Sequence, residues 1–163
     1  MVRHALTGQW HDKESLKERQ LSNMSLGVVG FGRLGKMTVR FGSAFCKKVL
    51  VCDKKPSPEI FQGLAACGIE HVDFETLLRQ SDAISIHINM TPENFHLFDS
   101  AAFSKMKKGA VLINTSRGDI IDEQALIHAL DSGRIKCLWS RCTSCRVASE
   151  YGRQYPGQIC TKP

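Results

Sequence analysis

The chain has 163 residues, 42% of them hydrophobic and 23% charged, which suits one globular domain with a core and excludes disorder as a whole-chain description. No run approaches the roughly 18 consecutive apolar residues of a membrane span, and residues 1–20 lack the apolar core of a secretory signal, so a soluble, cytoplasmic protein with no membrane partner is expected. The formal charge of +6 is lodged at one end: residues 1–133 carry 16 Lys and Arg against 15 Asp and Glu, whereas residues 134–163 carry six against Glu150 alone, too short a basic stretch to predict a nucleic-acid partner.

Residues 1–24 are polar and mixed in charge, with an amphipathic hint at 16–21, and read as a linker or entry helix. From residue 26 short apolar runs alternate with amphipathic stretches, the pattern of a parallel α/β sheet. The runs at 26–29, 49–52, 69–72, 83–88 and 110–113 predict five buried strands, and the spacing at 34–45, 60–66, 74–79 and 122–130 predicts helices. Asp122 stands at an N-cap position and Gly133 at the far end of the last helix; residues 92–107 read as one or two short helices entered at Pro92. Cys46, Cys52 and Cys67 sit in apolar surroundings and are expected to act as small buried hydrophobes in a reducing compartment.

The most informative stretch is Gly30-Phe31-Gly32-Arg33-Leu34-Gly35, a G-x-G-x-x-G that leaves one predicted strand and opens a predicted helix. In that context Gly30 permits the tight turn, Gly32 lets backbone approach a pyrophosphate, Gly35 allows close packing, and the helix N-terminus offers free N–H groups to phosphate. Asp53 follows the second strand, 23 positions after Gly30, where a carboxylate would accept the ribose hydroxyls of an adenosine. Strand, glycines, helix, strand and acid in this order predict a doubly wound, Rossmann-type domain over 25–135 that binds a dinucleotide. NAD is favoured over NADP because Asp53 repels a 2′-phosphate, although Lys54 and Lys55 offer charges that would offset one.

Arg117 lies just beyond the run at 110–113, at the carboxyl end of a strand, where ligands of open α/β sheets bind. Its guanidinium suits two-point recognition of a carboxylate and polarisation of an adjacent keto oxygen; pairing with Asp119 or Asp122 is the equal alternative by position. Four stretches together resemble the NAD-binding domain of the D-isomer-specific 2-hydroxyacid dehydrogenases, which include phosphoglycerate dehydrogenase. They are Leu26 to Gly35, Ser81 to Glu93, Met106 to Ala110, and Asn114-Thr115-Ser116-Arg117-Gly118 with Asp122-Glu123. The resemblance implies that Arg117 is catalytic and binds a small 2-hydroxy or 2-keto acid, that Gly30, Gly32, Arg33, Leu34, Gly35, Asp53, Asn89, Thr115 and Ser116 serve the cofactor NAD, and that the protein is a homodimer. Asn89 departs from the family's His-x-Pro-Leu-Thr, reading His87-Ile88-Asn89-Met90-Thr91.

The resemblance stops after Ile135. The histidine that donates a proton in the family, and its glutamate partner, lie downstream of the arginine motif and have no counterpart here, since no histidine follows His128. The chain is therefore expected to be a truncated dehydrogenase, poor or inactive on its own, with a non-enzymatic NAD(H)-sensing or interaction module as the alternative. Residues 136–163 read as an atypical, basic, cysteine-containing tail, disordered, leaving the sheet short of its last strand or strands. Cys142 and Cys145 form one C-x-x-C with Cys137 before and Cys160 after; structural zinc wants two close pairs, so no metal site is predicted.

Overall fold

Seven strands form one sheet in the computed structural model, which describes residues 20–54, 64–65 and 67–140 and the backbone of 159–161. They are β1 (Ser25–Val29), β2 (Lys48–Cys52), β3 (Ile69–His71), β4 (Ala83–Ile86), β5 (Ala110–Asn114), β6 (Ile135–Ser140) and β7 (Ile159–Thr161). Every neighbouring pair is parallel, in the order β3-β2-β1-β4-β5-β6-β7. The chain starts mid-sheet, winds outward through β2 and β3, and returns to the other side of β1 as β4. The strand order thus reverses between β1 and β4, and such a point opens a crevice beyond the carboxyl ends of the strands.

Strands buried on both faces carry apolar residues in both registers. On one face Val28, Val49, Val51 and Ile69 pack with Val39 of helix α1 (Arg33–Phe45). On the other, Leu50, Ile84, Ile86 and Leu112 pack against α2 (Phe74–Gln80), α3 (Ser100–Lys105) and α4 (Glu123–Asp131) through Leu77, Phe103 and Leu126. Aspartates cap α2, α3 and α4: Asp73 accepts from the Thr76 N–H, Asp99 from that of Ala102, and Asp122 from those of Gln124 and Ala125. Helix α1 has Gly32 at its N-cap, no side-chain cap and no acid in its first turn. Its first-turn donors are the ones the chain itself leaves to a ligand.

The five expected strands form. Pro92 opens a 3-10 turn (Pro92–Asn94) ahead of α3, and Gly133, at φ +67°, follows the end of α4. The helix expected over 60–66 lies outside the described residues except for 64–65, which are helical. One expectation is corrected: the sheet does not lack its last strands. Residues 136–140, read from sequence as the start of a disordered tail, complete β6, and β7 pairs beyond it. The physical reason is visible in Ile135-Lys136-Cys137-Leu138-Trp139-Ser140: Ile135, Leu138 and Ser140 are buried while Lys136 points to solvent, so the segment satisfies the open edge of β5 and covers part of the core. Cysteine burial also needs correction. Cys46 and Cys52 are half-buried and touch the two cores, but Cys67 is exposed, because it lies in the turn that precedes β3 at Gly68. Among the described residues no helix is long and apolar enough to cross a membrane.

Candidate cofactor crevice

A cavity of about 560 Å³ opens at the carboxyl ends of β1, β2 and β4. Gly30 turns the chain at its base with φ +95°, a conformation that L side chains rarely adopt, and a Cβ there would also stand 2.7 Å from the His87 carbonyl oxygen. A Cβ on Gly35 would overlap the Gly30 carbonyl oxygen, so the helix can start this close to the loop only with glycine. Gly32 is the opposite case: nothing lies within 4 Å of its missing Cβ, and it faces the cavity with Arg33 and Leu34 at the uncapped start of α1.

Asp53, half-buried at the exit of β2, lines the cavity and accepts the Phe31 N–H on Oδ2 at 2.6 Å. The bond ties the acid to the glycine loop, so the carboxylate and the loop are set by one contact. Cys52, Phe74, Ile88 and Leu97 give the same cavity an apolar lining. Burial, helped by the charges of Asp53 and Asp73, pushes the Cys52 thiol up to about 11, so it stays protonated at neutral pH.

Asn89 lines the cavity from the segment after β4, and its backbone carbonyl accepts from Asn94 Nδ2 at 2.9 Å. Asn94 is 7% exposed, and its Oδ1 is buried without a hydrogen-bond partner among the described residues. A buried polar atom left unpaired costs free energy, so Asn94, which also lines the cavity, offers an acceptor to a polar ligand, as the buried Thr91 hydroxyl beside it does. Sequence reading missed it, because an asparagine two positions after a turn proline looks like any other turn residue.

His87 stands where the two halves of the sheet part and lines the cavity. Its Nε2 lies 3.0 Å from Thr38 Oγ1 and 2.8 Å from Ser85 Oγ, and its Nδ1 3.2 Å from Thr115 Oγ1. The Thr115 hydroxyl already donates to the Ile86 carbonyl, so it can only accept from the ring; this assigns the proton of the neutral ring to Nδ1. Burial lowers the pKa of His87 below the ordinary value, which keeps it neutral.

Gly30, Gly32, Arg33, Leu34, Asp53 and Asn89 therefore meet at one cavity, whereas Gly35, Thr115 and Ser116 do not line it. The Thr115 and Ser116 hydroxyls both donate to the Ile86 carbonyl at 3.1 Å, which fastens the turn after β5 to the end of β4. Arg117 follows that turn, is exposed, and makes no ion pair among the described residues; Asp122, its possible partner by position, caps α4 and lies 3.6 Å from His96 Nδ1. Among the described residues no group of three or more His, Cys, Asp or Glu gathers as metal ligands, and Cys142 and Cys145 lie outside them. The open Gly32, the uncapped helix, the acid at the exit of β2 and the buried Asn94 oxygen all fit a dinucleotide.

Comparison with known proteins decides which. A family profile described as D-isomer specific 2-hydroxyacid dehydrogenase, NAD binding domain, matches residues 1–139. The chain belongs to this family. The match continues into β6 as far as Trp139, beyond the point at which the sequence resemblance ends, and it names the cofactor as NAD. The chain is 40% identical over 125 residues to the D-lactate dehydrogenase of Escherichia coli (strain K12), covering 77% of this chain and 37% of that one. To the glyoxylate reductase of Thermococcus litoralis it is 42% identical over 115 residues, covering 71% and 34%. The crystal structure of D-lactate dehydrogenase from Aquifex aeolicus complexed with NAD and lactic acid superposes with a TM-score of 0.82 at 26% identity, over 99% of this chain and 52% of that one. The chain thus spans little more than a third of the length of these two curated relatives.

Proposed function

We propose that this chain is the cofactor-holding part of an NAD-dependent oxidoreductase acting on small D-2-hydroxy or 2-keto acids. The observation that carries the reading is Asp53 locked to the glycine loop at 2.6 Å, opposite an uncapped α1 and above an open Gly32. Arg33 and the first-turn N–H groups of α1 hold the pyrophosphate, Asp53 the adenosine ribose, and Asn89 and Asn94 supply polar contacts from the segment after β4. Bound NAD supplies the carbon that takes up or gives back a hydride. Arg117 holds the substrate carboxylate and polarises the keto oxygen.

Among the described residues, neither histidine that lines a cavity is placed as a proton donor beside Arg117. His87 is neutral and hydrogen-bonded into the frame on both ring nitrogens, and His96 lines a second, smaller cavity with Asp119 and Asp122. We therefore expect NADH binding without turnover: the purified chain mixed with NADH and pyruvate, glyoxylate or hydroxypyruvate will leave the absorbance at 340 nm unchanged. Oxidation of NADH that R117A abolishes would overturn this expectation.

The homodimer belongs to the same reading. Leu34, Met37, Phe41 and Phe45 of α1 recur at i, i+3, i+7 and i+11 and are 63%, 55%, 62% and 62% exposed. Such a stripe suits a partner face, and a second copy is the partner proposed. Leu34 both heads this stripe and lines the cofactor cavity, which favours a second reading, an NAD(H)-responsive interaction module without turnover. A partner contact that changes with NADH, in a chain that catalyses nothing, would decide for it. Cys46, Cys52 and Cys67 are free thiols, which suits a reducing compartment such as the cytoplasm.

A further inference from the structure

Arg117 is exposed and held by no ion pair among the described residues, so its direction must be set through its backbone. Three side chains fasten the turn it belongs to. Thr115 and Ser116 reach back to the Ile86 carbonyl, and neither touches residue 117. Asn114 does. It is the last residue of β5, paired in register with Ile86 of β4 on one side and Ser140 of β6 on the other, and is 1% exposed. Its Oδ1 accepts from the Ser116 N–H at 3.0 Å and its Nδ2 donates to the Arg117 carbonyl at 2.8 Å. The amide orientation is fixed by this pair: turned over, the oxygen would face a carbonyl and the NH₂ an N–H.

We infer that Asn114 is a positioning residue for Arg117, its buried amide clamping the residues on either side of the Ser116–Arg117 peptide so that the guanidinium leaves the sheet in the direction needed to bind a substrate carboxylate. The inference rests on the reading of Arg117 given above. A hydroxyl or carboxylate at 114 can keep one half of the clamp but not the other. In N114D an oxygen still accepts from Ser116, while a second oxygen is forced against the Arg117 carbonyl, acceptor to acceptor. In N114S the shorter hydroxyl accepts from Ser116 as in an ST turn and does not reach residue 117.

The test uses the full chain with NADH and oxamate, an unreactive mimic of a 2-keto acid, and follows the fluorescence of bound NADH. NADH affinity reports the crevice, and the oxamate response reports Arg117. The expected result is that N114D binds NADH within about twofold of wild type but needs roughly tenfold more oxamate, as for R117A, with N114S read in the same way should N114D fail to bind NADH. Hydrogen exchange gives the local check: the Ser116 amide stays protected in N114D and N114S and loses protection in N114A. Equal oxamate affinity in wild type and N114D, with R117A impaired, overturns the inference and leaves the reading of Arg117 standing. A wild-type chain that binds NADH and shows no response to oxamate overturns both.

Discussion

His87 shows how one residue links the crevice to the stability of the fold. Its ring joins α1, β4 and the turn after β5 through Thr38, Ser85 and Thr115, and burial lowers its pKa. The unfolded chain therefore takes up a proton at a higher pH than the native one. Stability from this site is full above about pH 6.5, the unfolded value, and is lost as the pH falls from there towards the lowered native value. Denaturant midpoints at pH 8 and pH 5.5 should fall less in H87Q than in wild type; an equal fall would contradict the assignment. Cys52 gives a second residue-scale prediction. With its pKa at about 11 it should resist iodoacetamide at pH 8 while exposed Cys67 is alkylated, as read by peptide mass spectrometry. Faster modification of Cys52 than of Cys67 would contradict the placement of the thiol.

At the scale of elements, α1 does two jobs with two faces: its start closes on the glycine loop and its outer stripe is apolar. G35A places a methyl against the Gly30 carbonyl oxygen, so it should displace the loop and weaken NADH binding by roughly tenfold or more. F41D leaves the loop alone and should leave a monomer in sedimentation if the stripe pairs two copies. What sequence makes legible here is whatever has a strong local pattern. The strands at 26–29 and 49–52, the glycine turn and the aspartate cap of α4 depend on residue type and spacing alone. β6 is hidden for the reverse reason: Lys136, Cys137 and Trp139 give it no clean apolar run, and its fitness as a strand comes from the open edge of β5, a partner far away in sequence. The candidate site divides in the same way. Gly30, Gly32 and Asp53 have meaning from order along the chain, whereas the unpartnered oxygen of Asn94 and the hydroxyls of Thr115 and Ser116, spent on Ile86, are facts of packing.

For the whole molecule, the consequence of β6 is a sheet whose second half is supported as far as the core requires. Leu138 is fully buried in the larger core, so L138A should cost about 2–5 kcal/mol in chemical denaturation if residues 136–140 are a strand, and close to nothing if they are a tail. That sheet in turn holds the two sides of the cofactor crevice, β1 and β2 with the glycine loop and Asp53 on one, β4 with His87 and Asn89 on the other. The central claim is that this crevice binds NAD(H). The most direct measurement is a fluorescence titration of the purified chain with NADH and separately with NADPH, beside D53A whose fold is checked by circular dichroism. Saturable NADH binding, a weak response to NADPH, and roughly tenfold weaker NADH binding in folded D53A are predicted. A folded chain that binds neither nucleotide, or one whose NADH affinity ignores D53A, would contradict it.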